Sequence, residues 1–443
     1  MYIHCKNRGK LELDVKRQVD LYRQLLLTYE SCIRTKARLK RSLFHLHYEE
    51  EIERLSVDIC CYRYKPWLSN IFIVFYPKPR EIIAAHVRDR LVHHFIYNYM
   101  APYWERRFSP RSYACRKDKG PLQAVKDLQS FIQNYLRHNM GGLYYLKVDI
   151  ASFFPTIDID ILRKIIFKKL RNPLYQYLVD VTLKHRPVDK GQFILRSPKS
   201  HWSKMPRCKS MFYAPKNKGL PIGNLTSQFF ANIYLNELDQ FVTHQLKGRC
   251  LYWQRYVDDI IFISKDRHAL KKLPVMIDSF LRKRLSLQLN PRKTILQPLA
   301  RGIDHLGYWI KPDHTLIRQK NVRACSNKIR QSLSYSPEDF RAMIHSYFGH
   351  YSHGSSYRLR RSLAFKSTLI EWQGKKVRFT ADYKKMLLKP CQDVLKKRVF
   401  REKELLSHFE NYYKPLKPQL KSHYVQNWKP LDPLLSEAEA ILS

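Results

Sequence analysis

The chain has 443 residues, room for two or three domains around a large core, and its 44% apolar and 13% aromatic content excludes a disordered chain. Against 38 Asp and Glu stand 81 Lys and Arg, a formal net charge of +43 spread along the whole length. A polyanion would neutralise that self-repulsion. A long nucleic-acid groove fits better than an anionic membrane surface, since no segment reads as a basic amphipathic helix with a Leu/Phe face. No run approaches the ~20 apolar residues that span a bilayer, and the first residues lack a signal peptide's apolar segment. The nine cysteines are scattered, with only Cys60-Cys61 adjacent and no CxxC pair, which suits neither zinc nor a disulfide framework. A cytoplasmic location with reduced thiols is expected.

Residues 11–56 place Leu21, Leu25, Leu26 and Ile33 at helical spacing. The run 71–76 predicts a strand, stopped by Pro77 and Pro79. From Glu81 to Phe108 the pattern predicts helix, carrying Arg88, Arg90, His93 and His94. Another helix is expected over 121–138, after the turn Lys119-Gly120-Pro121. Residues 143–150 read as a buried strand ending in an acid, with a helix starting near Asp158 or Asp160. Residues 186–218 are rich in Lys, Pro and Ser, with Trp202, Phe212 and Tyr213 interspersed, and read as a long loop or irregular hairpin. Loops of that length are usually functional, and stacking plus phosphate contacts would suit template RNA. A helix from Thr226 to about Leu246 follows, then a strand–turn–strand, a helix over 267–285 and a strand-like 303–310. Basic helices are expected over 321–333, 337–347 and 355–370, and a Lys-rich tail from about 375 reads as helical to about 410.

The chemistry concentrates in Arg255-Tyr256-Val257-Asp258-Asp259-Ile260-Ile261-Phe262-Ile263, where two acids sit between β-branched and aromatic residues. Alone, such a turn reads as a polar hairpin. A second acid, Asp149, ends the apolar strand Lys147-Val148-Asp149-Ile150, about a hundred residues upstream. Three carboxylates from two neighbouring strands are what a two-metal phosphoryl-transfer site needs, and Mg2+ prefers such oxygen donors. His345, His350 and His353 carry no acid or cysteine to complete a shell, so they read as packing or nucleic-acid contacts.

In this order the motifs resemble those of a reverse transcriptase, from about Ile71 to Phe365. Asp149 with Phe153-Phe154 resembles the first catalytic motif, and Tyr256-Val257-Asp258-Asp259 the YxDD box. Gly219-Leu220-Pro221-Ile222-Gly223-Asn224-Leu225-Thr226-Ser227-Gln228 resembles the motif under template and nucleotide, and His305-Leu306-Gly307-Tyr308 the primer-grip hairpin.

The resemblance implies an α+β right-hand polymerase (fingers, palm and thumb) with an antiparallel palm sheet, a helical thumb and a helical C-terminal extension. It divides the chain into a helical N-terminal region 1–60, fingers and palm 61–310, thumb 311–370 and basic extension 371–443. Asp149, Asp258 and Asp259 would be catalytic and, with Ile150, bind two Mg2+ or Mn2+ ions. Phe153, Phe154, Ile222, Gly223, Gln228, Arg80, Arg88 and Lys293 would meet the nucleotide. Phe154 would be the steric gate for deoxynucleotides, and Lys293 would lie near the leaving phosphate. Tyr256, Leu306, Gly307 and Tyr308 would meet primer and template. The implied partners are a noncoding template RNA, dNTPs and the cDNA product, with an accessory protein, a second reverse transcriptase or an oligomer left open and no membrane.

Ile222 stands where retroviral enzymes usually have glutamine, and Gln228 where they have proline. Both variants resemble the enzymes of diversity-generating retroelements, as do Ser112-Tyr113-Ala114-Cys115-Arg116-Lys117, Phe229-Phe230-Ala231-Asn232 and the stretch from Gly349-His350 to Arg361. Relaxed fidelity opposite template adenines is implied. The C-terminal extension points instead to the related enzymes of bacterial antiphage defence. A non-catalytic RNA-binding scaffold is the alternative of a different class, and the intact acid triad argues against it.

Overall fold

The computed structural model describes residues 8–32, 43–75, 78–331 and 337–363. The extension 371–443, with its expected helix, lies outside the described residues, as do Ile33 and Pro77. The fold falls into two units, one drawn from Met1–Ala124 and Gly141–Pro298, the other from Val125–Met140 and Leu299–Ser443.

In the first unit, α1 (Arg8–Cys32), the single turn α2 (Leu43–Leu46) and α3 (Tyr48–Cys60) precede the hairpin of β1 (Ser69–Val74) and β2 (Arg80–Ala84), and α4 (Val87–Glu105) follows. Helix was expected from Glu81, but Glu81–Ala84 is a strand paired antiparallel with β1, Ile71 opposite Ile83. The stretch contains no Gly or Pro to mark the change, so periodicity alone could not separate the two states. The helix starts only at Val87, where the His86 side chain accepts from the Arg88 amide.

Next come β3 (Tyr144–Asp149), the turn α6 (Phe153–Thr156), α7 (Ile159–Phe167) and α8 (Pro173–Lys184). Asp158 caps α7 by accepting from Ile161 N at 3.1 Å, and Asn172 with Pro173 starts α8. Residues 186–218 are more ordered than the expected loop. After a 3-10 turn (Pro187–Asp189), strand β4 (Phe193–Leu195) joins the first sheet parallel to β1, and a short α9 (Lys199–Trp202) and two further 3-10 turns follow. Arg186 closes the base of this insertion, donating to the carbonyls of Pro215 (2.7 Å) and Lys218 and pairing with Asp189 at 2.8 Å.

The helix α10 (Leu225–His244) is buried on nearly every side, as befits its apolar composition. Around it lies a four-stranded antiparallel sheet of β5 (Tyr252–Tyr256), β6 (Asp259–Ser264), β3 and β7 (Ile295–Pro298), in the order β5-β6-β3-β7. The helix α11 (Arg267–Leu285), with the bounds expected from sequence, is capped by Asp266 and buries Leu270, Leu273, Ile277 and Leu281. One core joins α10 and α11 to Leu146, Val148, Ile260 and Phe262 of the sheet.

In the second unit α5 (Pro121–His138), also with its expected bounds, is hydrogen-bonded to the turn before β10 (Thr315–Ile317) through Gln129 and Gln133. The strand-like 303–310 is a hairpin, β8 (Ile303–His305) and β9 (Tyr308–Ile310), because Leu306 and Gly307 both take left-handed φ (+49° and +94°). The helices α12 (Gln319–Arg330) and α13 (Pro337–Tyr351) follow, and residues 357–363 are helical. The result is the mixed α+β class expected from sequence.

Candidate active site

Antiparallel pairing of β3 with β6 sets Asp149 directly opposite Asp259. Asp258 stands one residue earlier, on the two-residue turn that joins β5 to β6. Pairing therefore gathers the three acids, with no long side-chain reach. The turn is held on both sides: Ile150 N donates to Asp258 O at 3.3 Å, and Arg255 Nη1 to Val257 O at 3.1 Å. Val257 needs that support, because a β-branched residue at φ +55° is strained.

The charges oppose one another at close range. Burial, then Asp149, then Asp259 push the Asp258 carboxyl up to about 6. Lys293 Nζ lies 2.5 Å from Asp149 Oδ2, and Lys147 Nζ 3.3 Å from Asp259 Oδ2. Burial works against the charge of Lys293, but its hydrogen bond to Asp149 and the three carboxylate charges outweigh that and raise its pKa. Lys147 was not singled out in the sequence; it sits two residues before Asp149, so it lies diagonally across from Asp259 on the same sheet face.

Among the described residues no three His, Cys, Asp or Glu side chains already converge as a metal shell. At this site ammonium groups cover oxygens of Asp149 and Asp259, while Lys293 offsets only part of the repulsion on Asp258, and three carboxylates face two ammonium groups. An all-oxygen set with excess negative charge fits a hard divalent cation such as Mg2+ or Mn2+. Asp149, Asp258 and Asp259 would hold it, with the Ile150 carbonyl as a main-chain donor.

The two phenylalanines separate. Both line a cleft with Ala114, Cys115, Gln228 and Val257, but Phe153 is 2% exposed and belongs to the core, whereas Phe154 is half-buried. The cleft thus brings Phe154 and Gln228 to the Val257-Asp258 turn. Gly223 and Ile222 lie against the first sheet: Ile222 O accepts from Ile83 N at 2.7 Å, and the Asn224 side chain from Ala85 N at 3.1 Å. A Cβ on Gly223, at φ +127°, would come within 2.9 Å of Ile82 Cγ2 and 3.0 Å of Ile83 O. Its glycine is demanded by that strand. On the other flank Gly219 N and Leu220 N donate to Ile157 O and Phe154 O (2.7 and 2.9 Å), so residues 219–224 stitch α6 to β2.

Arg80 is exposed at the start of β2; burial raises the pKa of the Tyr256 hydroxyl, and the Arg80 charge only partly opposes that. Arg88 is elsewhere. It was expected at the triphosphate but is 3% exposed, paired with Asp58 at 2.5 Å and set over the rings of Tyr64 and Trp67. A guanidinium committed to a carboxylate and two rings has no face left for a phosphate. Its neighbour Asp89 accepts from Tyr64 Oη and Trp67 N (2.7 and 2.9 Å), so the pair fastens α4 to the segment before β1.

The most consequential residue that sequence reasoning missed is Arg255 in its chemical role. It is 1% exposed and donates to both oxygens of Asp239, to Asn232 Oδ1 at 3.3 Å and to Ser112 Oγ at 2.9 Å. Asn232 and Asp239 lie seven residues apart, two turns of α10, and so share a face. An arginine inside a strand that is buried along nearly its whole length and flanked by aromatic residues was the available signal. Its main chain also pairs with Arg111 and Tyr113, so the 111–115 segment covers the edge of β5.

In the second unit the Leu306-Gly307 turn rests on α13. Tyr308 Oη donates to His350 O at 2.9 Å with the rings 4.5 Å apart, and a Cβ on Gly307 would lie 3.1 Å from the His350 ring. His350, its pKa lowered by burial, is thus a packing residue of this hairpin.

The chain is 22% identical to Protein YkfC of Escherichia coli K12 over 64% of its own length and 75% of that protein's. It is 19% identical to a Saccharomyces cerevisiae protein named for COX1/OXI3 intron 2, over 65% of this chain but only 38% of that one. Over 110 residues it is 24% identical to nuclear intron maturase 1, mitochondrial, of Arabidopsis thaliana, which is 24% of this chain and 14% of that protein. Among solved structures it is similar to apo telomerase from Candida tropicalis (TM-score 0.38, 14% identity, 56% of this chain and 55% of that one). It is also similar to Candida albicans telomerase in complex with a fragment of telomeric RNA (TM-score 0.40, 10% identity, 79% of this chain and 64% of that one). No helix among the described residues is long and apolar enough to cross a membrane. The family described as Reverse transcriptase (RNA-dependent DNA polymerase) matches residues 77–310, more than half of the chain and the whole of the four-stranded sheet with its three acids, and the protein belongs to that family.

Proposed function

We propose that this protein copies RNA into DNA by two-metal nucleotidyl transfer. The observation that carries the reading is Asp149 in register with Asp259, one residue from Asp258. Divalent ions bound there would lower the pKa of the primer 3′-hydroxyl and neutralise the leaving pyrophosphate. Phe154 fills the space a ribose 2′-hydroxyl needs, and Arg80 receives the triphosphate. Lys293, paired here with Asp149, would serve as the proton donor to the leaving pyrophosphate. Residues 61–310 then supply fingers and palm and 311–370 the thumb, with Leu306 and Gly307 meeting the primer; Tyr308, expected there as well, is 2% exposed and bonded to His350, so it holds the turn from beneath. A primed RNA with dNTPs and Mg2+ tests this: the parent chain extends the primer and Asp258→Ala does not. Extension by Asp258→Ala would sink the enzymatic reading and leave an RNA-binding scaffold.

The setting we infer is bacterial antiphage defence, with a dedicated noncoding RNA as template. Its support is the basic C-terminal extension, 371–443. Ile222, apolar where an amide is common, favours a second reading, the error-prone enzyme of a diversity-generating retroelement. Sequencing the RNA and DNA that co-purify with the protein separates them. Defence predicts one noncoding RNA and its cDNA; the second reading predicts a template repeat copied with substitutions at adenines.

A further inference from the structure

Residues 190–218 contain eight Lys and Arg and not one Asp or Glu. A neutralising acid is therefore missing within the stretch, while its fold is firmly anchored from below. Glu81 of β2, 2% exposed, accepts from Ser210 Oγ at 2.5 Å and Met211 N at 2.9 Å. Met211 packs with Ile71 and Ile83, and its sulfur would lie 2.7 Å from a Cβ on Gly219. Above this anchor the rings face outward: Tyr213 is 62% exposed with the Arg207 guanidinium 5.4 Å over it, and Phe212 is 39% exposed, propped edge-on by Trp202 and Phe193. Lys209 is exposed beside them.

We propose that this insertion is a binding platform for single-stranded RNA, with bases stacking on Tyr213 and Phe212 and phosphates neutralised by Arg207 and Lys209; it rests on the RNA-directed reading above. Aromatic rings interleaved with cations suit unpaired nucleotides, which offer a π-face and a phosphate at every step. A protein partner would need acidic side chains in number to meet these cations, whereas RNA carries a charge at every nucleotide. A membrane surface would call for an amphipathic helix, whereas these residues lie on short 3-10 turns. The anchor matters because rings already held in place lose little entropy on binding. None of these side chains lines the cleft beside the catalytic turn, so the platform is separable from the chemistry.

The test uses the full chain and a fluorescent, unprimed, unstructured oligoribonucleotide, titrated over a salt series. Tyr213→Ala should weaken binding about tenfold without changing the salt slope, since stacking is the salt-independent part. Tyr213→Phe should bind as the parent does. The double variant R207S/K209S should lower the slope by about 1.4, at roughly 0.7 per phosphate contact on a single strand. All three should extend a short, fully primed duplex at the parent rate. Parent-like affinity in Tyr213→Ala, or an unchanged slope in the double variant, overturns the platform and points to another occupant. Failure of the parent chain to extend primers would instead overturn the polymerase reading, with the binding comparison still readable.

Discussion

Arg255 and Asp239 meet in a two-point ion pair, 2.7 and 2.6 Å, with their side chains 0% and 1% exposed. The same guanidinium reaches Val257 O, so the strained turn that carries Asp258 hangs from a buried charge on α10. Removing one partner strands the other in the core, at a cost of about 3–5 kcal/mol, whereas apolar replacement of both is often neutral. Asp239→Leu alone should therefore lower the melting temperature markedly, and D239L/R255M should recover much of it. Polymerase kcat should stay depressed in the double variant, because Val257 O has lost its donor. Recovery of kcat together with stability would mean the pair only supports the fold.

Asp258 gives a pH dependence of unusual sign. It titrates at about 6 in the fold against an ordinary 3.8, so between those values the folded chain holds a proton that the unfolded chain has lost. Stability from this group falls as pH rises from about 4 to 6, and the full penalty persists above 6. Asp258→Asn removes the penalty, on the order of 2–3 kcal/mol for a shift of this size. In EDTA at pH 7.5 the variant should melt above the parent, and the gap should close by pH 4. Mg2+ should narrow it at pH 7.5 by stabilising the parent alone. A variant that melts at or below the parent in EDTA at pH 7.5 would show that the carboxylates are not in conflict.

How legible the site was depended on the sequence distance between partners. The strands of Asp149 and Asp258-Asp259 carried apolar runs strong enough to be read separately, and their pairing then followed from the family's architecture. Helices 121–138 and 267–285 were readable because a Gly-Pro turn and an Asp cap mark their starts. Arg88 was misread because its partner Asp58 lies thirty residues away on another helix, and among so many surface cations a buried one leaves no local mark. Arg255 was hidden similarly: Ser112 is 143 residues upstream. The insertion read as loop because its order comes from Arg186 and from Glu81, each a single side chain acting on distant main chain or hydroxyl groups.

Gly223 carries two costs that substitution can separate. Ala there meets both an unfavourable φ of +127° and the backbone of β2, whereas Ala at Gly248 (φ +83°) meets nothing within 4 Å. Gly248→Ala should cost about 1 kcal/mol from backbone conformation alone. Gly223→Ala should cost more and push β2 away, displacing Arg80. Its signature would be a raised KM for dNTP in single-nucleotide extension, with primer–template affinity unchanged. Equal effects of the two substitutions would mean that the Ile83 contact gives way without consequence.

Phe153 and Phe154 are adjacent yet should fail in different ways. Phe153 lies in the core at 2% exposure, so Phe153→Ala should lose about 3–5 kcal/mol of stability. Phe154 is half-buried in the cleft with Gln228 and Val257, so truncation there opens space beside the catalytic turn. Phe154→Ala should keep most of its stability and lose discrimination against ribonucleotides by at least about tenfold, the scale at which pocket shape alone selects substrates. The comparison is kcat/KM for dNTP against the matching rNTP, measured on one primed RNA for both variants. A steric origin requires that Phe154→Tyr retain discrimination, since its ring fills the same volume. If Phe154→Ala still rejects ribonucleotides as the parent does, the gate lies elsewhere in the cleft, and Gln228 is the next side chain to truncate.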